Sequence, residues 1–250
     1  MSEGTILVFN KGANAVVFGA SGGIGHAMVT KLRRDERFDN VYCVTRNGEI
    51  QDDSTERTLQ CDITNAESVQ KCADALRNKI EQIDLLFIAT GILHDDIVSP
   101  EKRLEDLSPE AMQHVFSVNT FAPVIVAKTF IPMMNTKHKS IIAALSARVG
   151  SIADNRLGGW HSYRASKAAL NMYFKTLSIE MKRKNPNLIL SLLHPGTTDT
   201  KLSKPFQKNV PEHKLFPPEQ AVDHLYDVIT GLEPDDSGKF YAWDGQLIEW

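Results

Sequence analysis

Seven short apolar runs, most of them rich in Val, Ile and Leu, recur along the chain at Ala13–Phe18, Val41–Thr45, Arg57–Cys61, Leu85–Ala89, Ser140–Leu145, Leu188–His194 and Lys239–Trp243. Longer amphipathic segments separate them. Continuous rather than alternating apolar runs suit strands covered on both faces, and interleaved helices are the connections that parallel strands need. The pattern predicts an α/β, doubly wound fold, with about seven parallel strands and helices on both faces of the sheet. Length alone, at 250 residues, allows one large domain or two small ones; the unbroken alternation selects a single domain over 1–250, with residues 1–12 as an extension before the first clear strand. Thr5–Phe9 could add a small strand there.

Helix starts are signalled locally. Thr64 with Glu67 three residues on reads as a capping box before Val69, Cys72 and Leu76. Ser108-Pro109-Glu110 offers a capping hydroxyl, a proline at the first helical position and an acid at the positive helix end. Further helices are expected at Gly23–Arg33, Phe121–Met134, Ser162–Lys184 and Pro218–Ile229, and residues 201–217 read as a long surface loop, a length often used for lids.

A net charge of -3 argues against nucleic acid or an anionic membrane as the main partner. Cys43, Cys61 and Cys72 are odd in number and form no CxxC pair, which disfavours a disulfide framework and a metal site. No run of about 18 apolar residues or signal-type leader stands out, so the expected location is cytoplasmic.

The first apolar run leads directly into Gly19-Ala20-Ser21-Gly22-Gly23-Ile24-Gly25 and then an apolar helical pattern. Glycines allow a tight turn and close approach of a ligand to the backbone, while free N–H groups at a helix start attract phosphate. A dinucleotide site usually declares its cofactor about 20 residues later, where a carboxylate binds the ribose hydroxyls of NAD. Here that place holds Thr45-Arg46. A guanidinium without a competing carboxylate favours a 2′-phosphate, hence NADP(H) preferred over NAD(H).

Tyr163 and Lys167 stand four residues apart, on one face of the helix expected from Ser162. A nearby ammonium favours phenolate and brings a phenol toward general acid/base work at neutral pH. With the spacing Gly19-x-x-x-Gly23-x-Gly25 upstream, Gly158-Gly159-Trp160 before it and Ala168-Ala169-Leu170-Asn171 after it, this helix resembles the active-site helix of the short-chain dehydrogenase/reductase family. The resemblance covers residues 13 to 250 and implies a Rossmann-type fold. Gly150-Ser151-Ile152 and the ending Gly238–Gly245 look like the branch of Sniffer-type carbonyl reductases and C-factor proteins.

The resemblance implies an NADPH-dependent oxidoreductase acting on a small carbonyl or alcohol substrate, with Tyr163 as acid/base supported by Lys167. Asn119 matches the residue that holds a relay water. Asp62-Ile63 matches the adenine contact, Ala89-Thr90-Gly91 the segment lining the cofactor, and Pro195-Gly196 with Thr198 and Thr200 the nicotinamide turn. Phe18 replaces the usual Thr before the first glycine, and Ala147 occupies the position of the usual catalytic serine when Gly150 sets the register. Ser146 is the preferred substitute. Ser151 reaching in, or weaker carbonyl polarisation, are the other options. His94, Trp160 and His161 are expected near the substrate mouth, residues 201–217 as the substrate loop, and a homodimer or homotetramer through the long helices. The alternative reading is an NADP(H)-binding signalling or sensor protein of C-factor type with little turnover.

Overall fold

A computed structural model describes residues 9–50 and 57–250. Its main sheet holds seven parallel strands: β1 (Ala13–Phe18), β2 (Phe38–Thr45), β3 (Thr58–Gln60), β4 (Leu85–Ile88), β5 (Ser140–Leu145), β6 (Leu188–His194) and, last in the chain, β9 (Lys239–Ala242). Their spatial order is β3-β2-β1-β4-β5-β6-β9, so the direction of winding reverses between β1 and β4. Such a reversal opens a crevice at the C-terminal strand ends, where ligands bind in open α/β sheets. The seven runs expected from sequence all form strands of this sheet. The extra strand expected at Thr5–Phe9 lies outside the described residues except for Phe9, whose ring sits 5.0 Å from that of Phe38.

Each face of the sheet carries its own core. Alternate side chains of β1 point opposite ways: Val16 and Phe18 join the cluster under α2 (Ala66–Arg77), α4 (Ala122–Phe130) and α5 (His161–Lys184). Ala15 and Val17 join the cluster under α1 (Gly23–Arg33) and α6 (Pro218–Gly231). Val16, Val17 and Phe18 are fully buried, and at about 1.5–3 kcal/mol per large apolar side chain removed from water, such runs hold the sheet between its two helical layers.

The helix starts follow the local signals with one correction. Ser108 Oγ accepts from Ala111 N at 3.1 Å, and α3 (Pro109–Phe116) begins there. For α2, however, Asn65 is the cap, accepting from Ser68 N at 3.0 Å. Thr64 instead donates from N and Oγ1 to Asp62 Oδ1, which closes the turn after β3 and moves the helix start one residue on.

Between α3 and α4, Ser117–Phe121 forms a π-helical turn. The joined stretch Pro109–Met133 is long and apolar enough to cross a membrane by length and composition, contrary to the sequence expectation, but half of its apolar window is buried inside this fold. Residues 201–217 are more ordered than a plain loop. Two short strands, β7 (Thr197–Thr198) and β8 (Leu215–Phe216), pair in parallel and tie the ends of the segment together, with helical turns at Lys204–Asn209 and Glu212–Lys214 between them.

Candidate active site

The glycine turn leaves β1 at the point where the sheet winding reverses. Gly19 has φ +76°, and a Cβ there would sit 3.1 Å from the Ala89 carbonyl and from Thr90 Cγ2. The turn after β1 and the exit of β4 therefore touch through a surface without side chains. Gly25 is tighter still, because an added Cβ would lie 2.1 Å from Gly19 O. The first bond of α1 to a preceding carbonyl is His26 N to Gly22 O at 2.8 Å. The amides of Gly23, Ile24 and Gly25 precede it and keep the donor capacity of a helix start. Ser21 is exposed beside them. Across the turn, Thr200 Cγ2 would meet a Cβ on Gly23 at 3.0 Å, so the segment after Pro195-Gly196 closes the far side of the same crevice. Thr198 is buried and bonds back to Pro195 O at 3.4 Å.

These features fit a dinucleotide: a cradle that a Cβ would fill, helix-start amides, and the buried Thr90 Oγ1, which has no protein partner among the described residues and sits on the cradle wall. Arg46, at the end of β2, is exposed and lines a cavity of ≈ 380 Å³ with Gln60, Asp62, Ser68 and Lys71. The Thr64 hydrogen bonds, with a smaller contribution from Arg46, hold the Asp62 carboxyl below its ordinary range. Ile63 is half-buried beside it.

Tyr163 and Lys167 come from the first two turns of α5 and are both buried. Lys167 Nζ lies 5.9 Å from the Tyr163 ring centroid and donates to Leu145 O at 2.9 Å. Gly91 passes beside the Lys167 ammonium, where a Cβ would come within 3.3 Å of both Lys167 Nζ and Asn119 Oδ1. Gly150 makes room for the helix itself, since a Cβ there would strike Lys167 Cβ at 2.8 Å. Burial pushes the Tyr163 phenol up to about 12 and the Lys167 ammonium down to about 8. The phenol thus carries its proton at neutral pH, and the ammonium titrates close to that range.

Asn119 stands in the π-helical turn, a local widening often found at functional sites. Both hydrogens of its side-chain amide are used: Nδ2 donates to Ile92 O at 2.8 Å and Ser166 Oγ at 3.2 Å, while Oδ1 accepts from Ile92 N at 2.8 Å and keeps a second lone pair. It pins the backbone just beyond Gly91 to α5. In this arrangement its amide has no remaining donor for a relay water.

Ser146 is 4% exposed and its Oγ donates to Asn171 Oδ1 at 2.7 Å. Asn171 lies eight residues beyond Tyr163 on α5, about 12 Å along the helix axis. The Ser146 hydroxyl is therefore bonded to a residue two turns further along α5 than Tyr163. Ser151 is also buried, and its Oγ accepts from Asp154 N at 3.1 Å. Ala147 is half-buried at the strand exit.

The wall beside Tyr163 is aromatic. The Phe206 ring packs edge-on against Trp160 at 5.1 Å and His94 at 5.7 Å, and Trp160 in turn lies 6.2 Å from the Tyr163 ring. His94 Nε2 lies 3.2 Å from Leu202 O, so the 201–217 segment is seated on the residues around Tyr163. Of the three residues that the sequence expected near the substrate mouth, Trp160 and His94 join this aromatic cluster beside Tyr163, while His161 is exposed at the first position of α5 and takes no part in it. Sequence reasoning missed Phe206, because a lone Phe in a lysine-rich segment carries no periodic signal. It also missed Glu101, which is 4% exposed although it lies in an irregular segment.

Residues 13–211 match the family described as short chain dehydrogenase. The 1-hydroxy-2-glutathionyl-2-methyl-3-butene dehydrogenase of Rhodococcus sp. is 30% identical over 240 residues, covering 95% of this chain and all of that protein. Among solved structures, the NADPH-bound carbonyl reductase from chicken fatty liver superposes with a TM-score of 0.83 at 22% identity, covering 99% of this chain and 97% of that one. Carbonyl reductase Sniffer of D. melanogaster does so with a TM-score of 0.82 at 21% identity, covering 96% of this chain and all of the other. With a glycine cradle, a buried Tyr–Lys pair and a family match across 13–211, the chain belongs to the short-chain dehydrogenase family of oxidoreductases.

Proposed function

We propose that this chain reduces small carbonyl compounds with NADPH, and catalyses the reverse alcohol oxidation, with Tyr163 as general acid/base. The observation that carries the reading is the buried Tyr163–Lys167 pair, 5.9 Å from ring to ammonium, at the strand ends where the glycine cradle opens. Reduced nicotinamide, when bound, supplies the hydride. Gly19, Ser21, Gly22, Gly23, Ile24 and Gly25 would hold the pyrophosphate, Asp62 and Ile63 the adenine end, and Ala89, Thr90 and Gly91 the middle of the cofactor. Pro195, Gly196, Thr198 and Thr200 would line its nicotinamide end.

In the reductive direction the protonated phenol donates to the developing alkoxide, and Lys167 favours the phenolate left behind. The aromatic wall of Trp160, Phe206 and His94 suits a substrate with an apolar or aromatic body. Carbonyl polarisation rests chiefly on Tyr163 in this reading, while Ser146 steadies α5 through Asn171. Ser146→Ala is accordingly expected to lower kcat by less than about tenfold, well below the 10²–10³ of a lost oxyanion donor. A loss of that larger size, with cofactor affinity retained, returns Ser146 to the role of carbonyl donor.

Arg46 and Lys71 face one cavity and would grip a 2′-phosphate. Arg46→Ala is expected to weaken NADPH binding about tenfold to a hundredfold, at 1.4–3 kcal/mol for a charge-assisted contact, and NADH binding far less. Equal losses for both cofactors refute the preference. Exposed Met172 and Ile179 on α5, with exposed Phe121 on the π turn that packs against α5, favour a dimer or tetramer through the long helices.

The direct test is NADPH oxidation in the presence of aldehydes, ketones and quinones. Tight NADPH binding with no carbonyl-dependent oxidation overturns the reductase and supports an NADP(H)-binding sensor.

A further inference from the structure

Gly158, Gly159 and Trp160 form an unbroken run of left-handed residues, with φ of +63°, +65° and +52°, immediately before the helix that carries Tyr163. Glycine adopts this conformation freely; tryptophan does not, and Trp160 is the one non-glycine residue with positive φ among the described residues. Such a conformation persists only where its surroundings over-determine it.

Two residues do so, Arg164 through its side chain and Glu101 through both its backbone carbonyl and its carboxylate. Arg164, one turn into α5, donates from Nε to Gly159 O at 2.9 Å and from Nη2 to Gly158 O at 3.1 Å. Glu101 approaches from a segment some sixty residues upstream. Its backbone carbonyl accepts from Trp160 N at 2.5 Å, and its carboxylate accepts from Ser162 N at 3.2 Å and from Ser162 Oγ. A carboxylate 4% exposed is costly to bury unless hydrogen-bonded, and here its acceptors meet the unpaired donors of a helix start, where negative charge is favoured. An added Cβ on Gly159 would stand in ordinary contact with Glu101 O at 3.6 Å, so the two backbones run side by side here.

We infer that Glu101 is a positioning residue of this site: it holds Trp160 left-handed and fixes the first turn of α5, so that the indole wall and the Tyr163 phenol keep a common register. The consequence is geometric. Tyr163 is the third residue of α5, and its ring faces the indole at 6.2 Å, so whatever sets the start of the helix sets the direction of the phenol. The inference rests on the reading of Tyr163 as acid/base, and extends it to a residue that touches neither substrate nor cofactor.

The test compares Glu101→Asp and Glu101→Gln with the wild type and with Tyr163→Phe. Asp keeps the charge but is one methylene short; Gln keeps the reach, with Oε1 accepting from Ser162 N and the amide donating to Ser162 Oγ. Since a displacement near 1 Å can cost about a hundredfold in rate, Glu101→Asp is expected to lower kcat by about tenfold or more, with NADPH affinity within about threefold of wild type. It should also lose selectivity for an aryl ketone over a linear aldehyde. Glu101→Gln should keep about a third or more of the wild-type kcat.

Acrylamide quenching of Trp160, read with Trp243 and Trp250 replaced by Phe, supplies a readout independent of turnover. Trp160 should become more accessible in Glu101→Asp and not in Glu101→Gln. An Asp variant that matches wild type in kcat and quenching overturns the inference, as does a Gln variant as impaired as Asp. If instead Tyr163→Phe turns over like wild type, the acid/base reading fails, and the quenching result alone still judges the clamp.

Discussion

Tyr163→Phe is expected to lower kcat for carbonyl reduction by about 10²–10⁴-fold, the usual worth of a positioned general acid, or roughly 3–5 kcal/mol of barrier. The substitution removes one hydroxyl from a ring already buried against Trp160, so the fold and the NADPH affinity should change little. The pH dependence follows from the two environments. Burial holds the phenol near 12, fully protonated at neutral pH, and the Lys167 ammonium near 8. Below about 8 the cation is present and steadies the phenolate left after proton donation; above it the cation is lost and the phenol becomes a weaker acid. Reduction should therefore hold a plateau through neutral pH and decline as pH rises past Lys167, whereas alcohol oxidation, which needs the phenol to lose its proton, should rise over the same range. Steady-state rates in both directions across pH 6–10 check this. A Tyr163→Phe enzyme with wild-type kcat, or a reduction rate that climbs through alkaline pH, removes Tyr163 from the chemistry.

Gly25→Ala is the second large effect. The new Cβ would sit 2.1 Å from Gly19 O and 2.8 Å from Gly19 C, both backbone atoms held by the turn. Neither can swing aside as a flexible side chain would. The turn must open, at a cost of about 1–3 kcal/mol or more for a small-to-large change in a packed place. Opening it spreads the helix-start amides that cradle phosphate. NADPH affinity is expected to fall by about a hundredfold or more, measured by fluorescence titration, with a lowered melting temperature. Gly158→Ala offers the contrast at the other end of the site, since no atom lies within 4 Å of its added Cβ and only its positive φ is strained. Wild-type NADPH affinity in Gly25→Ala would show that the cradle is not the phosphate site.

The strands and main helices were legible because each depends on a local rule. Continuous apolar runs mark strands buried on both faces, and α1 begins and ends where its glycine turn and basic last turn place it. The Tyr163–Lys167 pair needed only the helical repeat. Helix caps were less secure: Thr64 and Asn65 are both capping residues, and the choice of Asn65 depends on Thr64 being drawn to Asp62.

What the chain's sequence determined by itself is the sheet, the glycine turn and the face of α5 on which phenol and ammonium meet, since turn geometry and helical periodicity act within a few residues. Only the tertiary structure decided that Ser146 bonds Asn171, that Asn119 is committed to Ile92, that Phe206 closes on Trp160, and that Glu101 braces the start of α5. Each of those joins segments 25 or more residues apart, up to 61 for Glu101 and Ser162. Their partners are chosen by packing and by the cost of leaving a buried polar group unpaired, and neither is written in the local pattern of residues.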